Sequence, residues 1–300
     1  MPEPQPFAEA LSSSPQLFAR LLPTVYFDKY LSLDPPIRPS LRSPTQFRPC
    51  SINTSALPNT FGSSVVRMGE CIAVCGITGY IIDTTEAGPS ALYTNVDIVG
   101  RTGPPQSELM SMSEWMYETA LATKLFDPVQ LRIEDTAQTV VLQAQIQLLS
   151  QMYSGDVAWA ALLAALAVTR IPKAIPADDE ETLTAYFGTE PVVRFSKTET
   201  TKLELNYEKL PWCVNFGVMD DTGLVLADLE GRVEEVSVEG RITIVTSAGN
   251  SSIQNLSIFA GKSVISKEHI RQCISFAKHR AAELDSILNS QIYQSHGKGL

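Results

Sequence analysis

The 300-residue sequence predicts an α+β protein made of two similar lobes, each a mixed or antiparallel sheet covered by helices, behind an N-terminal helical extension. Three observations predict it. Strand-like segments followed by a helix-like segment occur twice along the chain. Between Val140 and Leu149, the apolar Val140, Leu142, Ala144, Ile146 and Leu148 alternate with Gln143, Gln145 and Gln147, the period-two pattern of a strand with one buried face. From Lys267 to Gln291, Ile270, Cys273, Ile274, Ala277, Ala281, Leu284, Ile287 and Leu288 recur at helical spacing.

In chain order, residues 1–45 read as helices and a connecting arm. Phe7 and Leu11 begin an apolar face that continues through Leu17, Phe18, Leu21 and Leu22. Pro23 falls where a helix first turn tolerates it, and Pro35-Pro36 ends the run. A first lobe spans 46–172. Its opening strands, Ser63–Met68 and Cys71–Ile77, flank Gly69-Glu70, a tight turn whose glycine can take positive φ. A strand is expected over Leu92–Ile98, and Ser111-x-x-Glu114 fits a capping box opening a helix that runs to about Leu125. The alanine-rich Val157–Thr169 reads as a buried helix stopped by Ile171-Pro172. Residues 173–210 form an acidic bridge (Asp178-Asp179-Glu180-Glu181) with one short helix and one strand. A second lobe spans 211–292. In it Trp212–Met219 pairs with Leu224–Asp228, and Arg241–Thr246 with Ile253–Phe259, before the long helix. A polar tail covers 293–300.

Composition narrows the function classes. A hydrophobic fraction of 44% and a charged fraction of 19% are those of a globular chain, and no apolar run reaches the ~20 residues of a membrane span. The first residues lack the basic and apolar regions of a secretory leader, so a soluble protein without membrane association is expected. Five cysteines (Cys50, Cys71, Cys75, Cys213, Cys273) form no disulfide framework and point to a reducing compartment. Cys71 and Cys75 share a strand face too far apart for a zinc clip, so no metal and no cofactor are expected. A net charge of −10 argues against a protein that grips nucleic acid unaided.

Short motifs in order along the chain carry a family resemblance. RPSLRSPTQFRPCSIN begins at Arg38, GSSVVRMGECIAVCGI at Gly62, and TNVDI at Thr94, followed by RTGPP at Arg101. ALLAALAVTRIP begins at Ala161, and VNFGVMDDTGLVLADLEGRVEE at Val214. Together they resemble the RNase PH superfamily, and within it the non-catalytic branch found in the eukaryotic exosome ring. The arm departs from the family's RPDGR pattern in lacking its acidic and glycine residues.

The resemblance implies a ring subunit that supports 3′-to-5′ RNA processing and degradation, in rRNA maturation and mRNA turnover, by scaffolding and threading RNA. The partners it implies are other RNase PH-like exosome subunits in a six-membered ring, RNA-binding cap subunits, an associated hydrolytic nuclease, and RNA in the shared channel. The localisation it implies is nucleus, nucleolus and cytoplasm. Active relatives cleave RNA with phosphate, which requires a carboxylate for proton transfer or metal binding and donors that neutralise phosphate. Matching Asp156 to the family's helix-start aspartate puts the acidic positions near Ala144, Leu149 and Gln151, none ionisable. No catalytic residue is therefore expected, and the chain is read as no enzyme. The alternative is an active phosphate-dependent exoribonuclease with relocated acids. A small-molecule kinase, using Ser247–Ser252 as its phosphate loop, lacks the lysine such a loop needs. Asp156 itself suits the start of a helix, His269, His279 and His296 lack ligand spacing, and Asp220-Asp221 suits a hairpin turn. Among Arg38, Arg42, Arg48, Arg67 and Arg101, the RNA-contact candidates are Arg101, in the RTGPP loop, and Arg67.

Overall fold

The computed structural model describes residues 15–86, 91–99, 106–133, 137–149, 154–176, 193–207, 210–219, 223–248, 252–261 and 264–297. The chain divides into two compact units.

The larger unit holds Pro49–Trp212, Thr246–Gln254 and Ala281–Leu300. Its sheet contains β1 (Cys50–Thr54), β2 (Gly62–Met68), β3 (Cys71–Asp83), β4 (Leu92–Ile98) and β5 (Gln138–Leu148), in the order β1-β2-β3-β5-β4. The β2–β3 hairpin closes with Met68 opposite Cys71, and Gly69 supplies the left-handed turn residue at φ +59. β5 lies between β3, antiparallel, and β4, parallel. A parallel neighbour needs a crossover, and α3 (Gln106–Thr123), with a 3-10 turn at Pro128–Leu131, lies in the segment between β4 and β5. The expected inward face is buried at Val140, Leu142, Ala144, Ile146 and Leu148, but strict alternation runs only from Ala144 to Leu148, where Gln145 and Gln147 are exposed; Thr139 and Val141 are buried as well. The helix over α4 (Gly155–Ala167) is buried along its whole length, because alanine lets it lie close against β2 and β3. Ser64 Oγ donates to Ala161 O at 2.6 Å, and a Cβ on Gly62 would stand 2.7 Å from Ala165 O. Trp159, fully buried, donates from Nε1 to Pro211 O and meets the Trp115 ring edge-on at 5.6 Å.

Two sequence expectations are corrected here. The capping-box reading at Ser111 fails, because α3 already begins at Gln106. The good helix formers Gln106, Glu108, Leu109 and Met110 extend it past a serine that merely has the right spacing to Glu114. In the bridge, β6 (Arg170–Pro176) pairs antiparallel with β7 (Val193–Lys202), so strand begins before residue 173 and returns after 192. A bulge between Pro172 and Ala174 absorbs the proline, which has no N–H to give. The acidic run Asp178–Glu181 lies outside the described residues.

The other unit gathers residues 15–48, Cys213–Val245 and Asn255–Arg280. Its sheet has the order β11-β10-β8-β9, from β8 (Pro211–Val218), β9 (Val225–Ala227), β10 (Gly240–Ser247) and β11 (Ile253–Phe259). Phe216 faces Ala227 across the expected β8–β9 hairpin. Cys273 and Ala277 of the long helix α6 (Lys267–Gly297) cover Val214, Phe216, Val218, Ile242 and Ile244, and Phe47 of the arm packs into the same cluster. Of the N-terminal extension, α1 (Pro15–Leu21) and α2 (Pro23–Leu31) are helical, with Pro23 in the first turn of α2 as its fixed φ favours. Phe7 and Leu11 lie outside the described residues. α2 packs on α5 (Gly231–Ser237), and its Phe27 is buried with Met219, Leu226 and Val238.

Candidate functional site

The stretch that would carry phosphorolytic chemistry runs from β5 into α4. Ala144 is wholly buried, paired with Ile77 on β3 and Thr94 on β4, so its side chain points into the apolar core. A carboxylate there would lose its hydration. Leu149 is exposed and apolar, its N–H bonded to Ile72 O at 2.9 Å. Gln151 lies outside the described residues. Asp156 is buried in the first turn of α4, where the positive end of the helix favours a carboxylate. Ser154 occupies the N-cap position, but its hydroxyl turns to Cys71 Sγ at 3.2 Å.

The arm arginines have a different destination from the one considered in the sequence. Arg38, Arg42 and Arg48 are buried. They converge on carboxylates about 180 to 200 residues further on. Arg48 donates to Asp228 from its backbone N–H at 2.6 Å and from Nε at 2.9 Å. Arg38, wholly buried, pairs with Glu234 at 3.3 Å and also donates to the carbonyls of Pro44, Ala227 and Asp228. Arg42 pairs with Glu230 at 3.0 Å and donates to Asp228 O at 3.2 Å. Arg280 of α6 closes the group, donating to Arg48 O at 2.7 Å with its guanidinium over the Phe47 ring.

The electrostatics follow from this packing. Burial pushes the Asp228 carboxyl up, but the charge and hydrogen bonds of Arg48, with Arg42 behind, outweigh it and hold it below the usual carboxylate range. Glu234 goes the other way: burial raises it, and the opposing pull of Arg38 is too small to reverse that. Burial draws the Arg38 guanidinium down to about 10, still charged at neutral pH. Arg38, Arg42 and Arg48 are each matched by a carboxylate within the chain. Most of the cluster's donors and acceptors are spent on holding the arm against the second sheet, with Arg38 Nε left buried without a hydrogen-bond partner.

Sequence reasoning weighed these arginines but passed over Asp228, Glu230, Glu234 and Arg280. The available signal was the carboxylate run of LADLEGRVEE directly after an apolar strand, where unpaired charge is not tolerated.

Arg67 stands exposed on β2, its Nε donating to Gly69 O at 3.0 Å. Arg101 lies outside the described residues, as do Asp220-Asp221. Ser247–Ser252 joins β10 to β11, with Ser247 N bonded to Ser252 O at 3.3 Å, and opens no helix, which removes the kinase phosphate loop. His269 is engaged at the start of α6, where its N–H bonds Ser266 Oγ at 3.2 Å. Burial drives the Cys75 thiol far upward, which makes it inert packing. Among the described residues, no helix is long and apolar enough to cross a membrane.

A groove of about 670 Å³ runs between α3 and the outer face of β4 and β5. Tyr93 and Tyr117 stack with ring centres 6.1 Å apart, and Asn95 Nδ2 donates to Gln145 Oε1 at 2.9 Å. Gln145 and Gln147 were legible in the sequence as the polar face of β5; the wall formed by α3 was not.

Residues 46–172 match domain 1 of the 3′ exoribonuclease family, and residues 209–280 match its domain 2. The chain is 28% identical over 281 residues to exosome complex component rrp43 of Schizosaccharomyces pombe, covering 90% of this chain and 96% of that one. It is 24% identical over 260 residues to exosome complex component Rrp42 of Methanopyrus kandleri, covering 82% and 89%. A chain of an archaeal exosome core superposes with a TM-score of 0.70 at 18% identity, covering 92% of this chain and 100% of that one. With both domains in order and the two-sheet architecture behind them, the chain belongs to the RNase PH family of 3′ exoribonucleases.

Proposed function

We propose that this chain is a non-catalytic subunit of an exosome ring. It would support 3′-to-5′ RNA processing and degradation, including rRNA maturation and mRNA turnover, by closing the ring and helping to thread RNA. One observation carries the reading: the two described positions that would need an ionised oxygen hold buried Ala144 and apolar Leu149, while Asp228 and Glu234 are tied to arginines. The names of the similar proteins supply the assembly. Its neighbours on this reading are RNase PH-like subunits, with cap subunits, a hydrolytic nuclease and RNA meeting it in the completed particle, in nucleus, nucleolus and cytoplasm. Arg101 and Arg67 are the cations proposed to meet RNA phosphates.

The test is direct. The purified chain, given single-stranded RNA, inorganic phosphate and magnesium, is expected to release no nucleoside diphosphate. Co-expression with an RNase PH-like subunit is expected to yield a stable heteromer. Phosphate-dependent shortening of RNA by the single chain would establish the alternative, an active exoribonuclease. Arg101→Glu in an assembled ring is expected to weaken RNA crosslinking; unchanged crosslinking removes that contact.

A further inference from the structure

The groove beside β4 takes no part in anything argued above, and its chemistry is selective. Its formal charges are both negative, Asp97 at the end of β4 and Glu114 on α3, and both residues are exposed. Neither forms an ion pair among the described residues. Between them lie the stacked Tyr93 and Tyr117 rings and the amides of Asn95 and Gln145. The free edge of β4 is closed to an added strand, because Val96 N–H already bonds Ser113 Oγ at 3.2 Å and Ile98 N–H bonds Asp97 Oδ1 at 2.8 Å. An occupant must therefore be read by side chains.

We infer that this groove docks an arginine-bearing segment of another protein. A guanidinium is planar, stacks on tyrosine faces, and offers several N–H donors to carboxylate and amide oxygens at once. Two carboxylates that form no ion pair among the described residues, Asp97 accepting only the Ile98 N–H at 2.8 Å, complement that charge and repel the phosphates of RNA. The inference goes beyond ring membership and does not rest on it, since the groove lies wholly within one compact unit.

Fluorescence anisotropy of the full chain with a labelled Gly-Arg-Gly-Arg-Gly peptide tests it. Asp97→Asn combined with Glu114→Gln is expected to weaken binding about tenfold or more, by removing both charges from exposed positions. Glu70→Gln combined with Glu268→Gln removes the same charge from exposed sites elsewhere and is expected to change binding less than about twofold. Tyr117→Leu is expected to weaken the arginine peptide more than its lysine counterpart, because stacking favours the planar cation. Oligouridylate is expected not to compete. Equal weakening by the two charge pairs, no peptide binding, equal effects of Tyr117→Leu on both peptides, or displacement by oligouridylate would each overturn the assignment.

Discussion

Asp228 grips Arg48 at three points, accepting from its backbone N–H at 2.6 Å, from its Nε at 2.9 Å and from its Nη2 at 2.5 Å, across 180 residues of sequence. Asp228 stands at φ +56, a left-handed conformation that turns its carbonyl toward Arg38 and Arg42 while its carboxylate faces Arg48. One residue thus binds the arm to the second sheet through both backbone and side chain.

Asp228→Asn keeps a side chain that tolerates the left-handed region but removes the charge that Arg48 and Arg42 face. Leaving two buried guanidiniums underpaired is expected to cost about 3–5 kcal/mol, read from urea or thermal melts. Asp228→Ala is expected to cost more, since it adds backbone strain. A loss below about 1 kcal/mol would show that the cluster does not hold the arm.

The cluster also sets a response to acid. Asp228 has a folded carboxyl value below its ordinary 3.8, so the stability it contributes is present above that value and is lost as pH falls below it. Glu234 is raised, so its contribution has the opposite sign and fades as pH rises through its elevated folded value. Melts across the acid range are expected to show stability falling below about pH 4, with the slope reduced in Asp228→Asn. An unchanged slope in the variant would assign the acid transition to other groups.

Ala144→Asp puts a carboxyl where the resemblance would want an acid, but into a fully buried apolar position. The expected result is a loss of about 3–5 kcal/mol and no phosphorolysis, because a buried unpaired acid is destabilising and a lone carboxyl does not neutralise phosphate. Stable protein that releases nucleoside diphosphates would reverse the view of β5 as structural.

Gly62→Ala tests the close approach of α4 to β2. The added Cβ would meet backbone at Ala165 O, which cannot swing away, so α4 must shift. About 1–3 kcal/mol of destabilisation is expected by thermal melting. Trp159→Ala is expected to cost about 3–5 kcal/mol, since it empties a fully buried indole site and leaves Pro211 O without its donor. Near-neutral outcomes at either position would mean that α4 packs more loosely than its burial indicates.

How much was legible beforehand varies with the range of the interaction responsible. β5 was readable because its side chains alternate apolar and amide from Leu142 to Leu148, and the β2–β3 turn because Gly69 carries its own backbone preference. The start of α3 was not, because a serine-to-glutamate spacing is weak against the helix propensity of the residues before it. The β6–β7 pairing escaped notice because a proline sits inside β6 and only a bulge in the ribbon accommodates it. The groove walls are three residue sets brought together by the β4–β5 crossover, which no local period reports.

By itself, the sequence determined the main strands and helices of each lobe, the two-lobe plan, and the lack of a carboxylate at Ala144, Leu149 and Gln151. Each depends on side-chain type and spacing over a few residues. Tertiary structure alone decided where the arm arginines go. Whether Arg38, Arg42 and Arg48 meet solvent, RNA or their own chain depends on carboxylates far along the polypeptide, and a charge carries no local mark of the partner that will neutralise it.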